Sequence, residues 1–210
     1  MNAGTVRRFV DGPAGAIECA IDEPASGTTS GLPLRGVAVL CHPHPQHGGT
    51  LDNKVVQTMA RAFVQLGYRA VRFNFRGVGG SAGAWDEGRG EVDDALAVVD
   101  ALRVAGLPLV LGGFSFGAFV ASHAAARQLK SAGAERLLLV GPAVLNFPLA
   151  AVPADTLVIH GEVDDVVPLA AVFDWARAPV LPVTVVPGSG HFFHGQLSLL
   201  KQLITGAWHR

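Results

Sequence analysis

The chain has 210 residues and a formal net charge of −1 at pH 7; half of its residues are hydrophobic and 16% are charged. That balance excludes a disordered chain and argues against a nucleic-acid or anionic-membrane partner, and the length suits one domain over residues 1–210. Cys19 and Cys41 are the only cysteines, too few for a disulfide scaffold or a cysteine metal cluster, and they read as reduced thiols.

Residues 5–10 and 16–21 flank the turn signal Asp11-Gly12-Pro13 and are expected to pair antiparallel. Residues 25–34 read as a polar loop and 36–41 as a central strand. Asp52 or Asn53 can cap a helix running to about Leu66, with Gly67 ending it. A strand follows at 68–75, then a glycine-rich loop from Arg76 to Gly90 and a helix from about Glu91 to Ala105. The remaining pattern predicts a strand at 107–112, a helix at 116–129, strands at 136–140 and 156–160, a helix at 169–176, a strand at 183–186 and a helix at 196–207.

Strands joined by helical crossovers predict a mostly parallel sheet of about eight strands, the first two antiparallel, with helices on both faces. Ligands of such sheets bind beyond the carboxyl ends of the strands, so the loops that follow strands carry the functional signal. Two uncharged stretches, 104–126 and 137–154, are interrupted by Pro108, Gly112-Gly113, Gly117, Gly141-Pro142, Pro148 and Pro153. Both read as buried strands with a helix or loop attached rather than as membrane spans. The N-terminal residues lack an apolar core of signal-peptide length, so a cytoplasmic location is expected.

Gly-x-Ser-x-Gly occurs twice, at Gly79–Gly83 and at Gly113–Gly117. The pattern has chemical meaning only as a sharp strand-to-helix turn with the serine at its tip. Ser115 meets that condition, because Leu109-Val110-Leu111 runs into the turn and Ala118-Phe119-Val120-Ala121 leads out of it. Ser81 does not; Arg76–Gly80 separates it from its strand, and a flexible loop is expected there. A serine nucleophile needs a base, and the base needs a group that holds its tautomer. Later post-strand loops offer His160-Gly161-Glu162-Val163-Asp164-Asp165 and Gly188-Ser189-Gly190-His191.

The segments HPHPQHGGTLDNKVV, FNFRGVGGSAG, GFSFGA, HGEVDDVVP and GSGHFFHG occur in the order in which the α/β-hydrolase superfamily carries them. Over roughly residues 36 to 195 the chain resembles the small bacterial serine hydrolases of that superfamily that lack a cap domain. The resemblance implies Ser115 as nucleophile, His191 as general base and Asp164 as the acid, with Asp165 the adjacent alternative and His194 a less suitable base. It also implies an oxyanion hole from the Phe116 N–H and from the loop after the central strand. There His44 matches the donor position, and it is the only residue with an N–H between Pro43 and Pro45.

His42, His44 and His47 are not read as a metal site, nor Cys41 as a thiol nucleophile. The near-match Gly77-Val78-Gly79-Gly80-Ser81-Ala82 is not read as a dinucleotide fingerprint, because no helix starts inside it. The resemblance instead implies a loop beside the site, with Arg76 and Asp86 as supporting contacts. No cofactor or metal is therefore expected. Residues 141–154 are too few to build a cap, so an open cleft is expected, bordered by some of Trp85, Phe116, Leu145, Phe147 and Phe192, with Asn146 and Arg89 near a polar head group. Such a cleft suits small or medium acyl esters or thioesters as the small-molecule partner. A peptidase or lactonase using the same triad, and a non-catalytic hydrolase-like binding protein, are the alternatives.

Overall fold

Alternation along the central strands decides how the layers assemble. In β3 (Gly36–Cys41), Val37, Val39 and Cys41 face one side and Ala38 and Leu40 the other, and every residue is buried. A strand apolar on both faces requires cover on both. The computed structural model describes residues 4–24, 34–128 and 136–208. The loop expected at 25–34 therefore lies, apart from Leu34, outside the described residues, as does Leu129.

The other strands are β1 (Val6–Gly12), β2 (Gly15–Asp22), β4 (Tyr68–Phe73), β5 (Leu109–Phe114), β6 (Arg136–Val140), β7 (Leu157–Gly161) and β8 (Val183–Val186). They form one sheet in the order β1-β2-β4-β3-β5-β6-β7-β8. The β1–β2 pair is antiparallel and the sheet mostly parallel, as the sequence predicts; β2–β4 is also antiparallel and the rest are parallel. Helices α1 (Lys54–Gln65) and α5 (Leu197–Trp208) place Val55, Met59, Phe63, Leu200 and Ile204 against the Ala38 and Leu40 face. Helices α2 (Arg89–Leu102) and α3 (Phe116–Gln128) cover the opposite face with Val92, Val99, Val120 and Ala124. The fifth helix, α4 (Leu169–Arg177), buries Val172 and Ala176 beside Val158.

Several boundaries move for local reasons. Asn53, not Asp52, caps α1, its Oδ1 accepting from Val55 N–H at 2.9 Å and Val56 N–H at 3.4 Å, a contact worth about 1 kcal/mol. Asp52 instead accepts from Arg7 and Arg72. The strand β4 stops at Phe73: Asn74 N–H still donates to Glu18 O on β2, but Phe75 N–H leaves the ladder and donates to His42. Helix α2 begins at Arg89, since the Glu91 carboxylate reaches back to Gly88 N–H at 2.8 Å and Asp86 N–H at 3.0 Å. It ends at Leu102, where Arg103 turns to ψ 150°. The uncharged stretch 104–126 is β5 and most of α3, and among the described residues no helix is long and apolar enough to cross a membrane.

Candidate active site

Strand β5 delivers Ser115 directly into α3. Its φ is 56°, a left-handed conformation that costs a non-glycine residue about 1–3 kcal/mol and persists only where packing imposes it. The packing is visible on either side. A Cβ on Gly113 would lie 2.0 Å from Gly117 O, and one on Gly117 would lie 2.3 Å from Cys41 O, so both positions admit only glycine. Ser115 N–H donates to Val140 O at 3.0 Å, tying the turn to the end of β6. The residue is 8% exposed, and its Oγ takes part in no hydrogen bond among the described residues.

The loops after β7 and β8 bring Asp164 and His191 together. Asp164 Oδ1 accepts from Val166 N–H at 2.9 Å and Val167 N–H at 2.8 Å, which aims Oδ2 at His191 Nδ1, 2.7 Å away. Burial pushes the Asp164 carboxyl up, but the bonds from His191 and Val167 and the nearby histidine charges more than offset this and hold it below its ordinary value. An ionised Asp164 keeps the proton of neutral His191 on Nδ1 and leaves Nε2 as an acceptor. The His191 ring packs on Phe114 at 4.8 Å, and a Cβ on Gly141 would stand 3.4 Å from His191 Cε1. Since Val140 carries the carbonyl that holds Ser115, the imidazole lies beside the turn. Asp165 and His194 are exposed and take no part in this pair.

His160 is a residue that the motif reading passed over. It lies on β7, fully buried, with Nε2 2.8 Å from Val167 O and 3.4 Å from Asp164 Oδ2. Its Nδ1 is buried without a partner, and burial draws its pKa below the usual histidine range. In the sequence it heads the segment that carries Asp164, without a motif that gives it a role.

The loop after β3 lies against the turn from the other side. The register pairs Cys41 with Gly113, so the two chains leave the sheet side by side. His44 begins a single 3₁₀ turn, Pro45–His47, and its carbonyl accepts from His47 and Gly49 N–H. Its own N–H has no acceptor among the described residues, and the Phe116 N–H, first in α3, has no carbonyl of its helix to bond. The His44 ring stands 5.2 Å from that of Phe116, 4.6 Å from Trp85 and 5.5 Å from Phe147.

Of the expected cleft residues, Phe116 is fully buried at the centre of this aromatic cluster, Trp85 and Phe147 are half-buried, and Leu145 and Phe192 are exposed. Residues 141–154 form turns without a helix, strapped to α3 by Ala150 N–H donating to Ser122 and by His123 bonding Pro148 O. Arg76 is held by Asp94 in a two-pronged ion pair, and Asp86 accepts from Gly90 N–H and Arg89, so these contacts shape the loop after β4. Asn146 is exposed. Cys19 and Cys41 are buried, and burial raises both thiols, Cys19 to about 12, which leaves them unreactive. Among the described residues no group of three or more His, Cys, Asp or Glu side chains is placed to hold a metal.

Comparison with known proteins gives three findings. The model of the family described as serine aminopeptidase, S33, matches residues 33–153. An uncharacterized protein of Rickettsia prowazekii is 33% identical over 202 residues, covering 88% of this chain and 81% of the relative. Among solved structures, an α/β serine hydrolase without lid from Xanthomonas campestris superposes with a TM-score of 0.88 at 37% identity, over 100% of this chain and 96% of the other. An α/β serine hydrolase homologue from Coxiella burnetii gives 0.80 at 36%, over 96% of each.

Proposed function

The chain belongs to the serine aminopeptidase S33 family within the α/β-hydrolase superfamily of serine hydrolases, and on that premise we propose that it cleaves small or medium carboxylic esters or thioesters through an acyl-enzyme on Ser115. The observation that carries the reading is the left-handed backbone at Ser115, imposed by glycines that no other residue can replace. The matched family segment ends at residue 153, so the roles of Asp164 and His191 rest on their 2.7 Å contact and on the tautomer it enforces.

In the first half-reaction Ser115 Oγ attacks the acyl carbonyl while His191 Nε2 takes its proton. Asp164 stabilises the imidazolium and keeps it oriented. The Phe116 and His44 N–H groups hold the oxyanion, each contributing about 2.7–4 kcal/mol if well aligned. His191 returns the proton to the leaving alcohol or thiol, then activates water to release the acid from Ser115. The absence of a cap over residues 141–154 leaves the mouth open, which suits substrates reached from solvent rather than long buried chains.

Labelling with a fluorophosphonate probe, read by intact mass, tests this. One adduct on the wild type and none on Ser115→Ala is the expected result. A folded wild type that stays unlabelled overturns the reading and favours a binding protein. The name of the matched family makes peptide cleavage the second reading. Aminoacyl-arylamide turnover above that of matched esters by the labelled enzyme would move the assignment there.

A further inference from the structure

The imidazole of His42 is buried just past the ends of β3 and β4, its ring tilted 48° to that of Phe75 with centroids 4.2 Å apart, and it is exposed to no solvent. Its two nitrogens have unambiguous roles. Phe75 N–H can only donate, and it lies 3.1 Å from Nε2, so Nε2 is an acceptor. Pro43 O can only accept, and it lies 2.6 Å from Nδ1, so Nδ1 carries the proton.

Pro43 O belongs to the same planar peptide as the His44 N–H. In a trans peptide the carbonyl and the N–H point in opposite directions. A bond that pins the Pro43 carbonyl toward the His42 ring therefore turns the His44 N–H away from it and fixes the direction of that donor. The His44 carbonyl is engaged by His47 and Gly49 N–H, leaving the N–H as the one backbone group of His44 not otherwise used among the described residues. The anchor of the ring is itself braced. Asp94 on α2 accepts from both Arg76 N–H and Arg76 Nε, which fixes the chain right after Phe75. Burial holds the His42 imidazole neutral, with its pKa drawn down to about 4, so the donor–acceptor pattern persists at neutral pH.

We propose that His42 is a positioning residue of the oxyanion hole: its Nδ1–H, bonded to Pro43 O, orients the peptide that presents the His44 N–H to the reacting carbonyl. The inference rests on the serine-hydrolase reading above.

Two substitutions separate this role from simple support of the fold. His42→Asn keeps a donor at the Nδ1 position and loses the acceptor for Phe75. His42→Gln keeps an acceptor at the Nε2 position and loses the donor to Pro43. Each loses one buried hydrogen bond, so a merely structural residue would respond alike to both. Because an oxyanion donor acts in the transition state, the expected result is a kcat lower by about tenfold or more in His42→Gln with KM nearly unchanged. His42→Asn is expected within about threefold of wild type, with both variants comparable in thermal midpoint.

Equal losses in the two variants, or no loss in His42→Gln, overturn the inference while leaving the enzyme a serine hydrolase. A wild type that neither labels nor turns over any ester or amide overturns the serine-hydrolase reading itself. Should His42→Gln fail to fold, long-range ¹⁵N–¹H correlation on the wild type decides. The Nδ1–H tautomer at His42 is expected, and the Nε2–H tautomer overturns the inference.

Discussion

The two Gly-x-Ser-x-Gly segments make a comparison within one chain, since they share a local pattern and differ in everything around it. Ser81 Oγ donates to Asn74 O at 2.7 Å and accepts from Glu18 N–H at 3.0 Å, so both of its capacities are used to stitch the loop after β4 to β2. Ser115 has the strained φ, sits between strand and helix, and keeps its hydroxyl uncommitted. A serine is available for attack only when the surrounding chain holds its backbone and leaves its oxygen free. Pattern alone does not distinguish the two.

The largest effect expected from breaking that comparison is at Ser115. Ester hydrolysis by Ser115→Ala should fall by about 10⁶-fold, while Ser81→Ala turns over normally; loss of activity in Ser81→Ala with Ser115→Ala still active would reverse the assignment. Asp164→Asn should lower kcat by about 10⁴-fold, because the amide can donate to His191 Nδ1 and favours the wrong tautomer. A neighbouring Asp165→Asn, being exposed, should leave kcat unaltered, and steady-state kinetics on the pair reads the difference directly.

Stability differences are smaller. The folded pKa of His42 is depressed, from 6.5 to about 4, so its contribution is present above 6.5 and is lost as the pH falls toward 4. That loss is on the order of 3 kcal/mol, and denaturant unfolding at pH 7 and 4.5 should show it shrinking in His42→Asn. His160, also held neutral by burial, titrates in the same direction, whereas Asp52 and Asp164 act only below their ordinary carboxylate range. Last, Ser81→Ala leaves Asn74 O and Glu18 N–H short of a partner and should cost about 1–3 kcal/mol by chemical denaturation.

Much of the architecture was legible because its signals are local and repeated. The β-branched run at 36–41 appears as a strand with those bounds, and Gly67 ends α1 with a φ of 88°. The edges that shifted did so through particular hydrogen bonds, one local at the start of α2 and one long-range at the end of β4. Neither the reach of Glu91 back to Gly88 nor the departure of Phe75 toward His42 is marked in composition or periodicity. Among the site residues, the choice of Asp164 over Asp165 follows once the loop is folded, since one carboxylate meets His191 and its neighbour meets water.

By itself the sequence determined the alternation of strands and helices and the strand-to-helix turn at Ser115. These depend on side-chain period and on glycine spacing, which are properties of neighbours along the chain. The tertiary structure alone decided that His42 bonds both Phe75 and Pro43, that His160 shares Asp164 with His191, and that Ser81 is spent as a strut. Each of those depends on groups brought together from different strands, and a hydrogen bond is set by distance and direction in space, for which separation along the chain carries no information.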